Sequence, residues 1–198
     1  MISIEQYFDL SIAHRKTHKC GGYPFENGPF LTKISSTLKS KRVLEIGTGI
    51  GYSAYCFAIE NDDVKIDSID MLKEHSEIAE KYWGKYGLTG RIKCLVGKST
   101  TILNQLVKEA EKKYDIIFFD GFTPNPDEVS NFVKLLSPDG LLITTNLTLA
   151  SEILRIDEYL QNITNEGLLT KQFEDTAFSS RNLSILQTAA DLWNLNSI

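Results

Sequence analysis

The chain has 198 residues, of which 42% are hydrophobic and 24% charged, and its formal net charge is −5. That is the composition of a globular domain with a full core, and the acidic balance argues against a protein that coats DNA or a membrane surface nonspecifically. No run approaches the roughly 18 apolar residues of a membrane-spanning helix, and the opening MISIEQYFDL has no positively charged leader segment.

Apolar residues Ile4, Tyr7, Phe8 and Ile12 predict a helix over 3–18, stopped by Cys20-Gly21-Gly22. Phe30, Leu31, Ile34 and Leu38 predict a second helix over 28–39. Short strands then alternate with helices. Strands are predicted over 42–46, 64–69, 92–96, 115–119 and 141–144. Helices are predicted over 52–59, 75–86, 101–112 and 127–136, the last ended by Ser137-Pro138-Asp139-Gly140. The fourth strand is nearly all apolar, as a strand buried on both faces must be. Five alternations predict a parallel sheet with helices on both faces. A further helix over 149–163 and two short strands, near 171–175 and 183–187, complete the reading. Tyr82, Trp83 and Tyr86 share a helix face with Ile78 and Ala79 and read as helix–sheet core.

The stretch VLEIGTGIGYS, residues 43–53, runs from a strand through Gly47, Gly49 and Gly51 into a helix. Such a turn presents backbone N–H groups and a helix N-terminus at the end of the sheet, with no side chains to block a ligand. Position 52 is Tyr, so the GxGxxG spacing of a dinucleotide site is broken. Glu45 just before the turn would repel a phosphate and suits a cationic amino-acid tail. Asp70 lies 23 residues after Gly47, at the end of the neighbouring strand, where a carboxylate can accept both hydroxyls of a ribose. The two features select an adenosine ligand without selecting a chemistry. The triplet Gly97-Lys98-Ser99 is no phosphate loop, because that motif requires glycine where Ile92 stands.

Four blocks, VLEIGTGIGYSA, IDSIDMLKEHSEIAEKYWGKYGLTGRIKCLVGKS, YDIIFFDG and LLSPDGLLITTN, in order and register, resemble the class I S-adenosylmethionine-dependent methyltransferases. The nearest resemblance is to the group of catechol and caffeoyl-CoA O-methyltransferases and their bacterial and archaeal relatives. It covers roughly residues 25–147, including the NGPFL segment at 27–31. It implies a Rossmann-like, doubly wound, seven-stranded α/β fold, mostly parallel with a C-terminal antiparallel strand. It also implies one domain over 1–198: a helical cover at 1–40, a cofactor core at 41–147, and a C-terminal helix and strands at 148–198. By position, Glu45, Gly47 and Ser53 would surround the methionine part of S-adenosylmethionine, Asp70 would hold the ribose, Met71 would pack beside the adenine, Ser99 would border it, and Asp120 would sit under the sulfonium end.

Methyl transfer requires an aligned nucleophile that has lost its proton. In catechol-type enzymes a divalent metal acidifies a hydroxyl, held by an Asp after strand four and an Asp-Asn pair after strand five. Here Asp120 and Asn146 are kept, but Thr145 replaces the middle carboxylate, and no lysine follows Asp120, whose successors are Gly121-Phe122-Thr123. Losing one carboxylate removes a full compensating charge from an Mg²⁺ site. Asp120 and Asn146 are therefore read as catalytic residues that position substrate, with Asp120 the candidate base and Mg²⁺ doubtful. Phe122, Thr123 and Pro124 should line the acceptor pocket, with the first helix and the 23–30 loop over it.

The expected reaction is O-methyl transfer to a small molecule or modified nucleotide. The alternatives are an N- or RNA-methyltransferase on the same fold, a cofactor-binding protein that has lost catalysis, and a nicotinamide oxidoreductase. The run HRKTHK, residues 14–19, could meet an RNA or nucleotide phosphate or be a solvated basic helix end. His14 and His18 are spaced for zinc, with no further ligand pair in view. No DNA or membrane partner is expected. Cys20, Cys56 and Cys94 form no CxxC pair and read as reduced thiols in a cytoplasmic protein. The resemblance suggests a homodimer.

Overall fold

The computed structural model describes residues 1–109, 113–121, 124–145, 169–174 and 191–195. The predicted helix over 149–163, the predicted strand over 183–187, and Phe122, Thr123 and Asn146 lie outside the described residues. The chain divides into two compact units, Met1–Ser99 and Thr100–Ile198.

The first unit opens with α1 (Ile4–His18). Ser3 and Gln6 form a reciprocal capping box at its start, and Lys19 closes it in the left-handed region at φ 51°. Helix α2 (Gly28–Leu38) is capped by Asn27 and has Pro at its first turn. Three parallel strands follow, β1 (Arg42–Ile46), β2 (Lys65–Asp70) and β3 (Ile92–Val96), in the order β3-β2-β1. Their crossovers are α3 (Tyr52–Ala58), every residue of which is buried, and α4 (Lys73–Lys85). The β1–β2 register sets Glu45 beside Ser68 and Ile46 beside Ile69, and the β2–β3 register sets Asp70 beside Val96. All the carboxyl ends therefore point the same way, where a ligand of a doubly wound sheet binds.

The second unit holds most of α5 (Ser99–Lys108), then β4 (Tyr114–Phe119), α6 (Pro126–Leu135), β5 (Leu136–Thr144), β6 (Leu169–Glu174) and β7 (Asp191–Leu195). β4 and β5 are parallel, and β7 runs antiparallel between β5 and β6. The apolar run of β4 is buried except for Asp115, which is half-buried.

Helix and strand ends shift by one to four residues from the sequence reading at several elements, and two departures are larger. Strand β5 begins at Leu136, not 141. Between the pairs Tyr114–Leu136 and Ile116–Leu141 it advances five residues while β4 advances two, so the Ser137–Gly140 turn bulges out of the ladder. The second difference is β7, which falls at 191–195, where no strand was expected. Trp83 is core as read, whereas Tyr82 and Tyr86 are half-buried and meet Tyr7 of α1 with tilted rings at 5.3 and 6.0 Å between centroids.

Candidate active site

The glycine turn is braced by three elements of the first unit. The N–H of Gly47 donates to the Ile69 carbonyl at 2.9 Å, tying the turn to β2. Trp83 of α4 donates its indole N–H to the Gly51 carbonyl at 2.9 Å, and Tyr7 of α1 donates its hydroxyl to the Ile50 carbonyl at 2.7 Å. Gly51 has φ +90°, and a Cβ there would lie 2.6 Å from the Trp83 ring. This glycine therefore serves close packing. Gly49 is different: at φ +50° a Cβ would meet nothing within 4 Å, and its N–H donates to Asp70 Oδ2 at 2.9 Å. The middle of the turn is open on the ligand side.

Beneath the turn, Thr48 Oγ1 lies 2.6 Å from Ser68 Oγ, and Ser68 donates to Glu45 Oε2. Glu45 is fully buried. It is the buried acceptor at the end of this hydroxyl chain, which fixes the Ser68 and Thr48 side chains beneath the turn. Ser53, in the first turn of α3, is also buried.

Asp70 takes the Gly49 N–H on one oxygen and the Leu72 N–H, at 2.8 Å, on the other. His75 Nδ1 stands 3.4 Å from Oδ2. Burial alone would raise the carboxyl, but His75 and the two N–H donors outweigh it and hold Asp70 below its ordinary value. It is therefore an anion at neutral pH, and Oδ1, which takes the Leu72 N–H, has lone-pair capacity for a further hydroxyl. Beside it, Met71 is 65% exposed and Val96, its neighbour across the ladder on β3, is 49% exposed. Exposed apolar side chains flanking a fixed carboxylate fit a flat aromatic base joined to a ribose, which would cover the first and bond the second. Ser99, half-buried at the start of α5, lies three residues beyond Val96. The residues predicted around the adenosine thus come together at the ends of β2 and β3.

In the second unit, Asp120 follows β4, and Thr145 follows β5. The Thr145 hydroxyl donates to Asp120 Oδ1 at 2.6 Å, and the Thr145 N–H donates to the Phe119 carbonyl at 3.0 Å. Burial pushes the Asp120 carboxyl up to about 6, against a smaller lowering by the Thr145 hydroxyl. The residue in place of the expected carboxylate therefore supplies a neutral donor whose hydrogen points at Asp120. A hydroxyl aimed in this way competes with a cation for the same oxygen, and two anionic ligands are reduced to one. Asp120 and Thr145 do not fit an Mg²⁺ site.

Sequence reasoning placed Gly49 in the ligand-holding turn without a role of its own and passed over Trp83, Tyr7 and His75 as site-shaping residues. Gly49 was visible as the middle glycine. His75 carried one signal, a histidine in the first turn of the helix that follows Asp70. Residues 15–19 of the basic run are exposed, and three of its side chains have partners within the chain: Arg15 lies over the Tyr23 ring at 5.1 Å, His18 meets Glu74 at 3.4 Å, and His14 stacks on His18.

The O-methyltransferase family matches residues 10–175. A catechol O-methyltransferase from Niastella koreensis is 31% identical over 120 residues, which cover 60% of this chain and 54% of that protein. The chain thus spans about half the length of the curated relatives it matches. An O-methyltransferase from Bacillus cereus, solved with S-adenosylhomocysteine, superposes with a TM-score of 0.79 at 18% identity, covering 98% of this chain and 90% of that one. An O-methyltransferase of tomaymycin synthesis from Streptomyces achromogenes, solved with S-adenosylmethionine, gives a TM-score of 0.81 at 16% identity, covering 96% and 89%. These likenesses give the chain the Rossmann-like α/β fold.

Proposed function

Because the chain belongs to the O-methyltransferase family, we propose that it transfers the methyl group of S-adenosylmethionine to an oxygen of a small-molecule acceptor. The observation that carries this reading is the anionic Asp70 between the open Gly49 turn and the exposed Met71 and Val96. When bound, the cofactor supplies an electrophilic methyl on a positive sulfur. Asp70 holds the ribose hydroxyls, Met71 covers the adenine, and Ser99 borders it. Gly47 and Ser53 face the methionine part, and Glu45 orients the turn hydroxyls that meet it. Asp120 takes the acceptor proton, its basicity matched to near-neutral pH by burial, and Asn146 positions the acceptor. No step uses a metal.

A modified nucleotide is the second acceptor class, supported by the lysines of the 14–19 run and weakened by the internal use of its Arg and His side chains. Loss of catalysis is the reading that Thr145 favours, and turnover of any acceptor would exclude it. We further read 1–198 as one methyltransferase domain, in line with a family match that begins in the first unit and ends in the second. No described helix is long and apolar enough to cross a membrane. The described cysteines are free, which supports a reducing, cytoplasmic setting. A homodimer is the assembly we propose from the family.

Calorimetric titration with S-adenosylhomocysteine tests the cofactor half. Micromolar binding is expected, weakened by about 1–3 kcal/mol in Asp70→Ala, the cost of leaving buried polar partners unmatched. Absence of binding to the wild type would sink the reading. Unchanged affinity in the variant would remove Asp70 from the site.

A further inference from the structure

The left-handed turn at Lys19 reverses the chain at the end of α1 and returns Cys20 toward the first turn of α4. The loop lies directly on His75, because a Cβ at Gly22 would be 4.0 Å from His75 Cε1. His14, one helical turn before the end of α1, places its ring 5.3 Å from that of His75. One ligand-capable atom from each of His14, Cys20 and His75 lies within 4.8 Å of the others. Among the described residues this is the group of three metal-capable side chains, and the methyltransferase reading uses only His75 of it, through the Nδ1 that faces Asp70. His75 is buried, and the other two are half-buried.

Three further features point to a cation. His14 Nε2 is a buried nitrogen with no hydrogen-bond partner. Cys20 and His75 are within hydrogen-bond reach of each other, yet that pair leaves His14 Nε2 out, and an ion at the centre of the triad would satisfy it. His75 Nδ1 faces Asp70 at 3.4 Å. A carboxylate behind one ring nitrogen fixes the tautomer and leaves the other nitrogen as a ligand, the usual arrangement behind a metal-bound histidine. Finally, the donors are one sulfur and two imidazoles, a set that selects zinc-like ions over Mg²⁺ or Ca²⁺. Bonds of about 2.0–2.3 Å to such an ion require the three atoms to draw together from their present spacing. Cys20 stands outside regular structure, between the end of α1 and Gly21-Gly22, where no helix or strand hydrogen bonds oppose that shift.

We propose that His14, Cys20 and His75 form a binding site for a zinc-class divalent ion, with the fourth coordination position left to water or an exogenous ligand. The ion would fasten the end of α1 to the start of α4. Binding releases the thiol proton of Cys20 and changes no oxidation state.

Co²⁺ titration of the full chain, in reduced and metal-free form, tests the site. One equivalent should produce intense visible bands of a four-coordinate centre, together with a near-ultraviolet thiolate-to-cobalt band, and Zn²⁺ should displace both. Cys20→Ser should abolish the thiolate band, and His75→Gln should weaken Co²⁺ binding about tenfold or more. Cys94→Ser should leave the spectrum intact. Absence of the bands in the wild type, or their persistence in Cys20→Ser, would overturn the proposal. A second measurement avoids variants altogether: Zn²⁺ should slow alkylation of Cys20 in the wild-type protein, and an unchanged rate at saturating Zn²⁺ would equally overturn it. Neither readout involves methyl transfer, so failure here is distinct from failure of the proposed activity.

Discussion

Asp120 meets two opposing influences. Burial disfavours its charge and raises the carboxyl to about 6, while the Thr145 hydroxyl favours the charged form. Two consequences follow with definite signs. As a base, Asp120 must be ionised, so kcat should rise as pH increases through about 6 and level above it. As a folded-state group with a raised pKa, it binds more protons in the native than in the unfolded chain between its unfolded value, near 4, and about 6. Its contribution to stability is therefore most favourable below that window and is lost as pH rises through it. Asp120→Asn should lower kcat by roughly 10²–10⁴ with little change in S-adenosylhomocysteine affinity. It should also gain stability relative to wild type as pH rises from 4 to 7. Thr145→Val removes the donor that favours the anion, so the rising limb of the pH–kcat profile should move to higher pH. A profile that stays in place would show that Thr145 does not tune the base. The replacement of a carboxylate by Thr145 was legible in the sequence. Its hydrogen bond to Asp120 was not, because that depends on how two strand ends 25 residues apart bring their side-chain rotamers together.

At the scale of elements, helix α1 was readable almost to the residue because its apolar spacing starts at Ile4 and glycines follow its end, while the Ser3–Gln6 capping box that fixes its start emerged only in the structure. Strand β5 was not. Ser137-Pro138-Asp139-Gly140 is a strong turn signal that reads as a gap between helix and strand, whereas the ladder admits it as a bulge. The glycine turn was legible as a feature but not in its division of labour. Periodicity cannot tell a glycine that faces open space from one pressed against an indole. That division predicts unequal tolerance. Gly51→Ala combines a left-handed backbone with a Cβ driven into Trp83 and should destabilise by roughly 2 kcal/mol or more, measured by urea unfolding. Gly49→Ala suffers the backbone strain alone, about 1–2 kcal/mol, and should unfold between wild type and Gly51→Ala, while losing S-adenosylhomocysteine affinity because the added methyl occupies the open face. Equal destabilisation of both would refute the assignment of Gly51 to packing.

At the scale of the whole molecule, the fold class was legible because alternating short apolar strands and amphipathic helices leave few topologies. The last strands were harder, since β7 is a five-residue segment with polar residues at Asp191 and Asn194 and no turn signal to bound it. The same scale decides what a ligand does to stability. A cofactor that binds only the folded chain stabilises it by mass action, by about 2.7 kcal/mol at a hundredfold excess over Kd. For a chain of this length that corresponds to a rise in Tm of roughly 5–10 °C. S-adenosylhomocysteine should produce that rise. Millimolar Mg²⁺ should add nothing to it and should leave kcat unchanged, because Thr145 sets a hydroxyl where a catechol-type metal site needs a charge. An Mg²⁺-dependent kcat would restore the metal to the reaction and would require Asp120 to turn from Thr145 toward the ion.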